Sequence, residues 1–139
     1  MLKTFALIFG IIFVAVGAAG FVPGLVHQPM TPHADLTMGA DSAGNLLGLF
    51  PVNILHNIVH LLFGLIGLAA SRSVGGARGY FRFVFIAYAL LAIMGLIPAA
   101  QTLFGLVPLH GNDVWLHAVL ALAGLYFGWV HKERAGEVR

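Results

Sequence analysis

Cysteine is absent from all 139 residues, which excludes disulfides and thiolate metal sites and leaves the redox compartment open. Charge is scarce. Only 9% of residues are Asp, Glu, Lys or Arg, against ~25% in a typical soluble domain. With 60% hydrophobic residues, a chain of this length cannot hide its apolar surface from water, so a bilayer must solvate it. Enzymatic signatures are missing too: there is no Ser-His-Asp arrangement, no Gly-rich phosphate loop, and no acidic pair within the apolar runs. The eighteen glycines are dispersed at helix-packing intervals. A non-catalytic protein is expected. Basic residues are absent from two segments, 27–45 and 101–113, which hold Asp35, Asp41 and Asp113.

What is present are four apolar stretches, with dense parts at about 5–26, 46–70, 80–100 and 114–130. Each is close to the ~20 residues that cross ~30 Å of hydrocarbon as a helix. The runs are continuous rather than alternating, and a membrane barrel needs at least eight strands, so strands are not expected. The chain reads as one all-α domain, 1–139, a four-helix transmembrane bundle. Met1-Leu2-Lys3 followed by an apolar run and Ala15, Gly17 and Ala18 also fits a cleaved signal peptide, but the run is long for one.

Lys3, Arg72, Arg78, Arg82, Lys132, Arg134 and Arg139 all fall on one side if the N-terminus is cytoplasmic. The positive-inside rule then places both termini in the cytoplasm. Tyr80, Trp115, Tyr126 and Trp129 lie near the span boundaries, where amphipathic rings anchor.

The second and fourth stretches align without a gap, 57 residues apart. Gly48-Leu49-x-Pro51 matches Gly105-Leu106-x-Pro108, His60 matches His117, and Leu65-x-Gly67-Leu68 matches Leu122-x-Gly124-Leu125. The first and third echo each other through Gly20-Phe21-Val22-Pro23 and Gly95-Leu96-Ile97-Pro98. Two copies of a helical hairpin in the same orientation follow, as in parallel-repeat membrane folds. Such a duplication keeps helix 1 in the bundle and puts His60 and His117 at equivalent depths. Asn53, His56, His60, Gly64 and Gly67 share one helical face, and Asp113, His117, Ala121, Gly124 and Gly128 another. Small residues permit close approach of membrane helices, so these stripes should form the inner seam.

Seven histidines stand in this apolar chain. His27, His33 and His110 lie at the outer loops, His56, His60 and His117 in the outer half of the spans, and His131 at the cytoplasmic edge. Polar residues inside a bilayer point to function by default. Three readings are open. His60 and His117 are candidate axial ligands of a haem b, with Gly64, Ala121 and Gly124 leaving room for the porphyrin. Alternatively His56, His60, Asp113 and His117 place two donors one turn apart on each helix, a candidate site for a divalent transition metal such as zinc, copper or iron; His110 can stand in for Asp113. In the third reading they only hydrogen-bond across helices, at ~0.6–1 kcal/mol each, as in an accessory subunit of a larger membrane complex.

In the first outer loop His27, Met30, His33 and Met38 bring donors that suit copper, although an exposed linker has the same composition. Segments 71–82 and 131–139 read as topology determinants that also touch anionic head groups, at ~1 kcal/mol per basic residue. They are too short for nucleic-acid recognition. The expected partners are the bilayer itself and a homo-oligomer or larger complex. A monomeric transporter is not expected, because four short helices enclose little volume.

The stretch Gly48-Leu49-Phe50-Pro51-Val52-Asn53-Ile54-Leu55-His56-Asn57-Ile58-Val59-His60-Leu61-Leu62-Phe63-Gly64 resembles the signature of a bacterial four-span family, domain of unknown function 4383. Pro108-Leu109-His110-Gly111-Asn112-Asp113-Val114-Trp115-Leu116-His117 is similar to its second signature. The likeness runs over nearly the whole chain. It implies four membrane helices and singles out His56, His60 and His117.

Overall fold

Four helices and a small sheet make up the computed structural model, which describes residues 1–27 and 36–133. Helix α1 spans Leu2–Ala19, α2 Ile54–Ala70, α3 Val74–Leu96 and α4 Asn112–Leu125, the last continuing through a π-helical turn at Tyr126–Val130. Three stretches, Leu2–Ala19, Val74–Leu96 and Asn112–Val130, are long and apolar enough to cross a membrane; Ile54–Ala70 is apolar but only 17 residues long.

The strand-free expectation is corrected. Strands β1 (Val26–His27), β2 (Gly44–Leu46) and β3 (Phe50–Val52) form an antiparallel sheet in the order β1-β2-β3. It takes residues expected to belong to helices, so α1 ends at Ala19 rather than 26 and α2 begins at Ile54 rather than 46. The physical reason lies in the turn residues. Leu47 and Gly48 both adopt positive φ, 54° and 73°, which turns the chain into a β2–β3 hairpin. Asn53 then starts α2: its Oδ1 accepts the His56 N–H at 2.9 Å, a side-chain N-cap.

At the opposite end helix α3 starts six residues earlier than expected. The Ser73 hydroxyl accepts the Gly76 N–H at 3.0 Å and caps it. Of the arginines expected in a loop, Arg78 and Arg82 therefore lie on the first turns of α3, and Arg72 stays in the turn before it. Arg78 donates to the His131 carbonyl and Arg82 to the Gly128 carbonyl, each at 3.1 Å, and the Arg82 guanidinium stands 5.3 Å from the Trp129 ring centre. The Leu2 N–H donates to the Glu133 carboxylate, joining the start of α1 to the segment after α4.

Helix α1 packs along α2 and α3 along α4, brought close by glycine. A Cβ on Gly67 would stand 3.0 Å from Gly10 Cα, and one on Gly124 2.6 Å from Phe85 N. The buried face of α1 (Leu2, Ala6, Phe13) has its counterpart 75 residues on in Ala77, Phe81 and Tyr88 of α3, all buried. Phe13 and Tyr88 stack where the two hairpins meet, with ring centres 5.6 Å apart.

Candidate functional site

The polar residues of the helices gather at the sheet end. Asn53, fully buried, fixes the start of α2 and also donates from Nδ2 to the Leu106 carbonyl at 2.8 Å, tying α2 to the segment before α4. Asn112 returns the gesture, donating to the Leu49 carbonyl at 3.1 Å. One turn beyond Asn53 comes His56, and one more turn brings His60. On α4, Asp113 is in the first turn and His117 one turn later. All four of these side chains are buried.

Asn53 is thus the residue that sets the position of His56. Asn53→Ala removes an N-cap, which costs ~0.5–2 kcal/mol, and takes the donor from the part-buried Leu106 carbonyl, a further ~0.5–1.5 kcal/mol. A fall of about 2 kcal/mol in unfolding free energy is expected from denaturant titration in detergent, and Asn53→Asp should recover the cap alone.

Three of the four expected ligands come together. His56, Asp113 and His117 each bring one ligand atom to within 4.8 Å of the others, and His56 Nδ1 lies 3.8 Å from Asp113 Oδ2. Atoms His56 Nδ1, Asp113 Oδ2 and His117 Nδ1 are buried and make no hydrogen bond among the described residues. His60 stands apart from that group. Its Nε2 meets His56 Nε2 at 2.9 Å, and its own Nδ1 makes no hydrogen bond among the described residues. Leaving such atoms unsatisfied costs ~1–3 kcal/mol each. Four of them in one place need a compensating ligand or proton arrangement.

Aromatic rings hold the imidazoles. Phe13 meets His60 edge-on at 5.4 Å, and Tyr88 lies 5.1 Å from His117. Three cavities adjoin the cluster. One of about 50 Å³ touches His56, His60, Tyr88 and His117; one of about 230 Å³ lies under the hairpin against His56, His60 and Asp113; one of about 120 Å³ runs from His60 between α1 and α4.

The other histidines are elsewhere. His27 is exposed on β1, and His131 is buried at the far end, its Nε2 3.7 Å from Glu133 Oε1. His110, weighed as a substitute for Asp113, is outside the converging group. In the copper-suited outer loop Met38 is exposed, while Met30 and His33 lie outside the described residues, as do Arg134 and Arg139. The helical face alone does not mark Asn53 as a positioning residue; its place at the start of α2, as an N-cap, is the signal that does.

No curated protein and no solved structure matches the chain. The model of one family, described as Domain of unknown function (DUF4383), matches residues 3–130, an interval that takes in all four helices, the hairpin and the whole histidine–aspartate cluster. The chain belongs to that family.

Proposed function

We propose that this protein is a non-catalytic, four-span bacterial membrane protein that holds one divalent transition-metal ion between α2 and α4. His56, Asp113 and His117 are its ligands, and His60 positions His56. The convergence of His56, Asp113 and His117, each with a buried donor atom unsatisfied among the described residues, carries the reading. Two imidazoles and one carboxylate with open positions are the donor set of ferrous and zinc centres. Ligating histidines characteristically engage their second ring nitrogen, and His56 does so through Nε2 on His60.

Two observations favour a bare ion over haem. His56 is bonded to His60, one of the two expected axial ligands. The cavity that touches both His60 and His117 measures about 50 Å³, far below the ~300–1,000 Å³ of small-molecule pockets.

The basic residues support a cytoplasmic side for both termini, with the metal in the outer half. Hairpin duplication is supported by pairs of features related by the same two offsets. Phe13–His60 answers to Tyr88–His117. Gly10–Gly67 answers to Phe85–Gly124. The positive-φ turn Leu47-Gly48 answers to Phe104-Gly105. Leu49 and Leu106, also equivalent, each accept an Asn carboxamide from the other half.

Cobalt is the direct probe. The detergent-purified protein should take up one cobalt ion per chain, with visible bands of low-symmetry coordination, and zinc should displace it. Uptake no greater than that of a His56→Ala, Asp113→Asn, His117→Ala triple variant would sink the metal reading and leave the accessory-subunit one. A Soret band after growth with haem precursors would restore haem.

A further inference from the structure

We propose that the two outer turns, the β2–β3 hairpin and the turn at 101–107, dip their apolar tips into the outer leaflet of the bilayer. Their partner is lipid hydrocarbon at its boundary with the head groups. At the tips Leu47, Leu49 and Phe104 are 57%, 55% and 79% exposed. Exposed apolar side chains scattered singly need no explanation. Length, charge and backbone bonding say what covers these. Helix α2 has 17 residues, a rise of ~25 Å at ~1.5 Å per residue, and Arg72 follows two positions after its end. A hydrocarbon core is ~30 Å thick. With Arg72 at the cytoplasmic face, the start of α2 therefore reaches no further than the outer edge of the hydrocarbon. The tips lie at that level. The Leu106 carbonyl accepts the side chain of Asn53, which caps α2, and the Leu49 carbonyl accepts that of Asn112, the first residue of α4.

Residues 42–71 and 83–112 contain no Asp, Glu, Lys or Arg, so neither turn carries a charge that lipid would reject. Where a turn in water needs positive φ, Gly, Asn and Asp are the favoured residues. Here Leu47, Leu103 and Phe104 occupy such positions, which suits an apolar surrounding. The backbone agrees. Hydrocarbon offers no partner to an N–H or C=O, so irregular backbone near it must be satisfied from within the protein. The N–H groups of Leu47, Gly48 and Leu49 donate to the carbonyls of Leu25, Asn45 and Leu46, and those of Leu106 and Val107 donate to the Thr102 carbonyl. The Gly105 N–H donates to the Thr102 hydroxyl. The Leu49 and Leu106 carbonyls, equivalent in the two halves, take their donors from the two Asn carboxamides. Two turns of unrelated local structure thus share apolar tips, a lack of charge and an internally bonded backbone.

The chain has no cysteine, so single-cysteine variants each carry one nitroxide label. Leu47→Cys and Phe104→Cys, in nanodiscs of defined phospholipid, are compared with Leu65→Cys, 57% exposed on α2, and with Asp41→Cys, exposed on the outer side. Power saturation reads collisions with oxygen, which concentrates in hydrocarbon, and with a polar nickel chelate, which stays in water. Both turn labels should favour oxygen, as the Leu65 label does. They should meet the chelate about fivefold less than the Asp41 label, the factor that ~1 kcal/mol of exclusion gives. Chelate access equal to that at Asp41 in both turns overturns the proposal, because the tips are then in water. So does an immobilised label shielded from both reagents, which puts a second copy or a protein partner on the tips. Leu49→Cys, at a tip position without positive φ, replaces either turn variant that melts below the parent. The proposal rests on the four-span reading, which the Leu65 label tests separately. Chelate access at Leu65 as well overturns both, whereas chelate access at the turns with Leu65 in lipid overturns the insertion alone.

Discussion

His117→Ala is expected to abolish stoichiometric cobalt binding, and Asp113→Asn to do the same. Each removes one of the three proposed protein ligands. Loss of a residue that merely orients a ligand weakens metal affinity ~10–100-fold, so loss of a ligand itself should exceed ~100-fold. His60→Ala then becomes the informative comparison. It deletes the partner of His56 Nε2 and leaves all three converging donors in place. Affinity should fall ~10–100-fold with the stoichiometry still one per chain, and His60→Gln, which keeps an acceptor near the same place, should recover part of the loss. Equal loss in His60→Ala and His117→Ala would instead make His60 a fourth ligand. The cobalt spectrum reads the difference independently, because removing a ligand changes the coordination geometry and removing its support does not.

A large stability effect is expected at Gly124. An added methyl group there would sit 2.6 Å from Phe85 N, 2.8 Å from Phe81 O and 2.9 Å from Phe85 Cα. All three are backbone atoms, so no side-chain rotation relieves the clash and α3 and α4 must separate. Overpacking costs ~1–3 kcal/mol, and this case belongs at the top of that range. Gly79→Ala on α3 is the control, because its added methyl meets nothing within 4 Å. There the gain in helix propensity, up to ~1 kcal/mol, should dominate and raise the melting temperature. The same substitution is thus expected to have opposite signs at two helical glycines. Melting in detergent checks it, and equal shifts at both positions would refute the packing account.

Much of the candidate site was legible because it is built on helical spacing. His56 and Asp113 begin their helices, His60 and His117 follow one turn later, and the offset of 57 residues aligns the two pairs. Spacing could not say which of His56 and His60 turns toward α4. Residues four apart differ by only ~40° around the helix, and the hydrogen bond between their rings makes the choice. The hairpin was hidden for a different reason. Residues 46–52 are as apolar as the helix that follows, and short apolar runs do not distinguish a buried strand from a buried helix. The turn that separates them begins at Leu47, a residue whose positive φ of 54° no propensity foretells; surrounding contacts must hold it there at ~1–3 kcal/mol. The early start of α3 was readable from Ser73, with a cap signal that the nearby arginines masked. The joining of Leu2 to Glu133 had no local signature at all.

That last contact fixes an order of assembly. Each helical pair is local in sequence and can close as soon as its second member enters the membrane. The N-terminal turn of α1, by contrast, receives its carboxylate from a residue 131 positions later. At the ~5–20 residues per second of synthesis, the first helix waits on the order of ten seconds for its partner. The two helical pairs are therefore already joined, through Asn53 to the Leu106 carbonyl and Asn112 to the Leu49 carbonyl, before the Leu2–Glu133 contact can form. Glu133 closes a bundle whose other joints are already made.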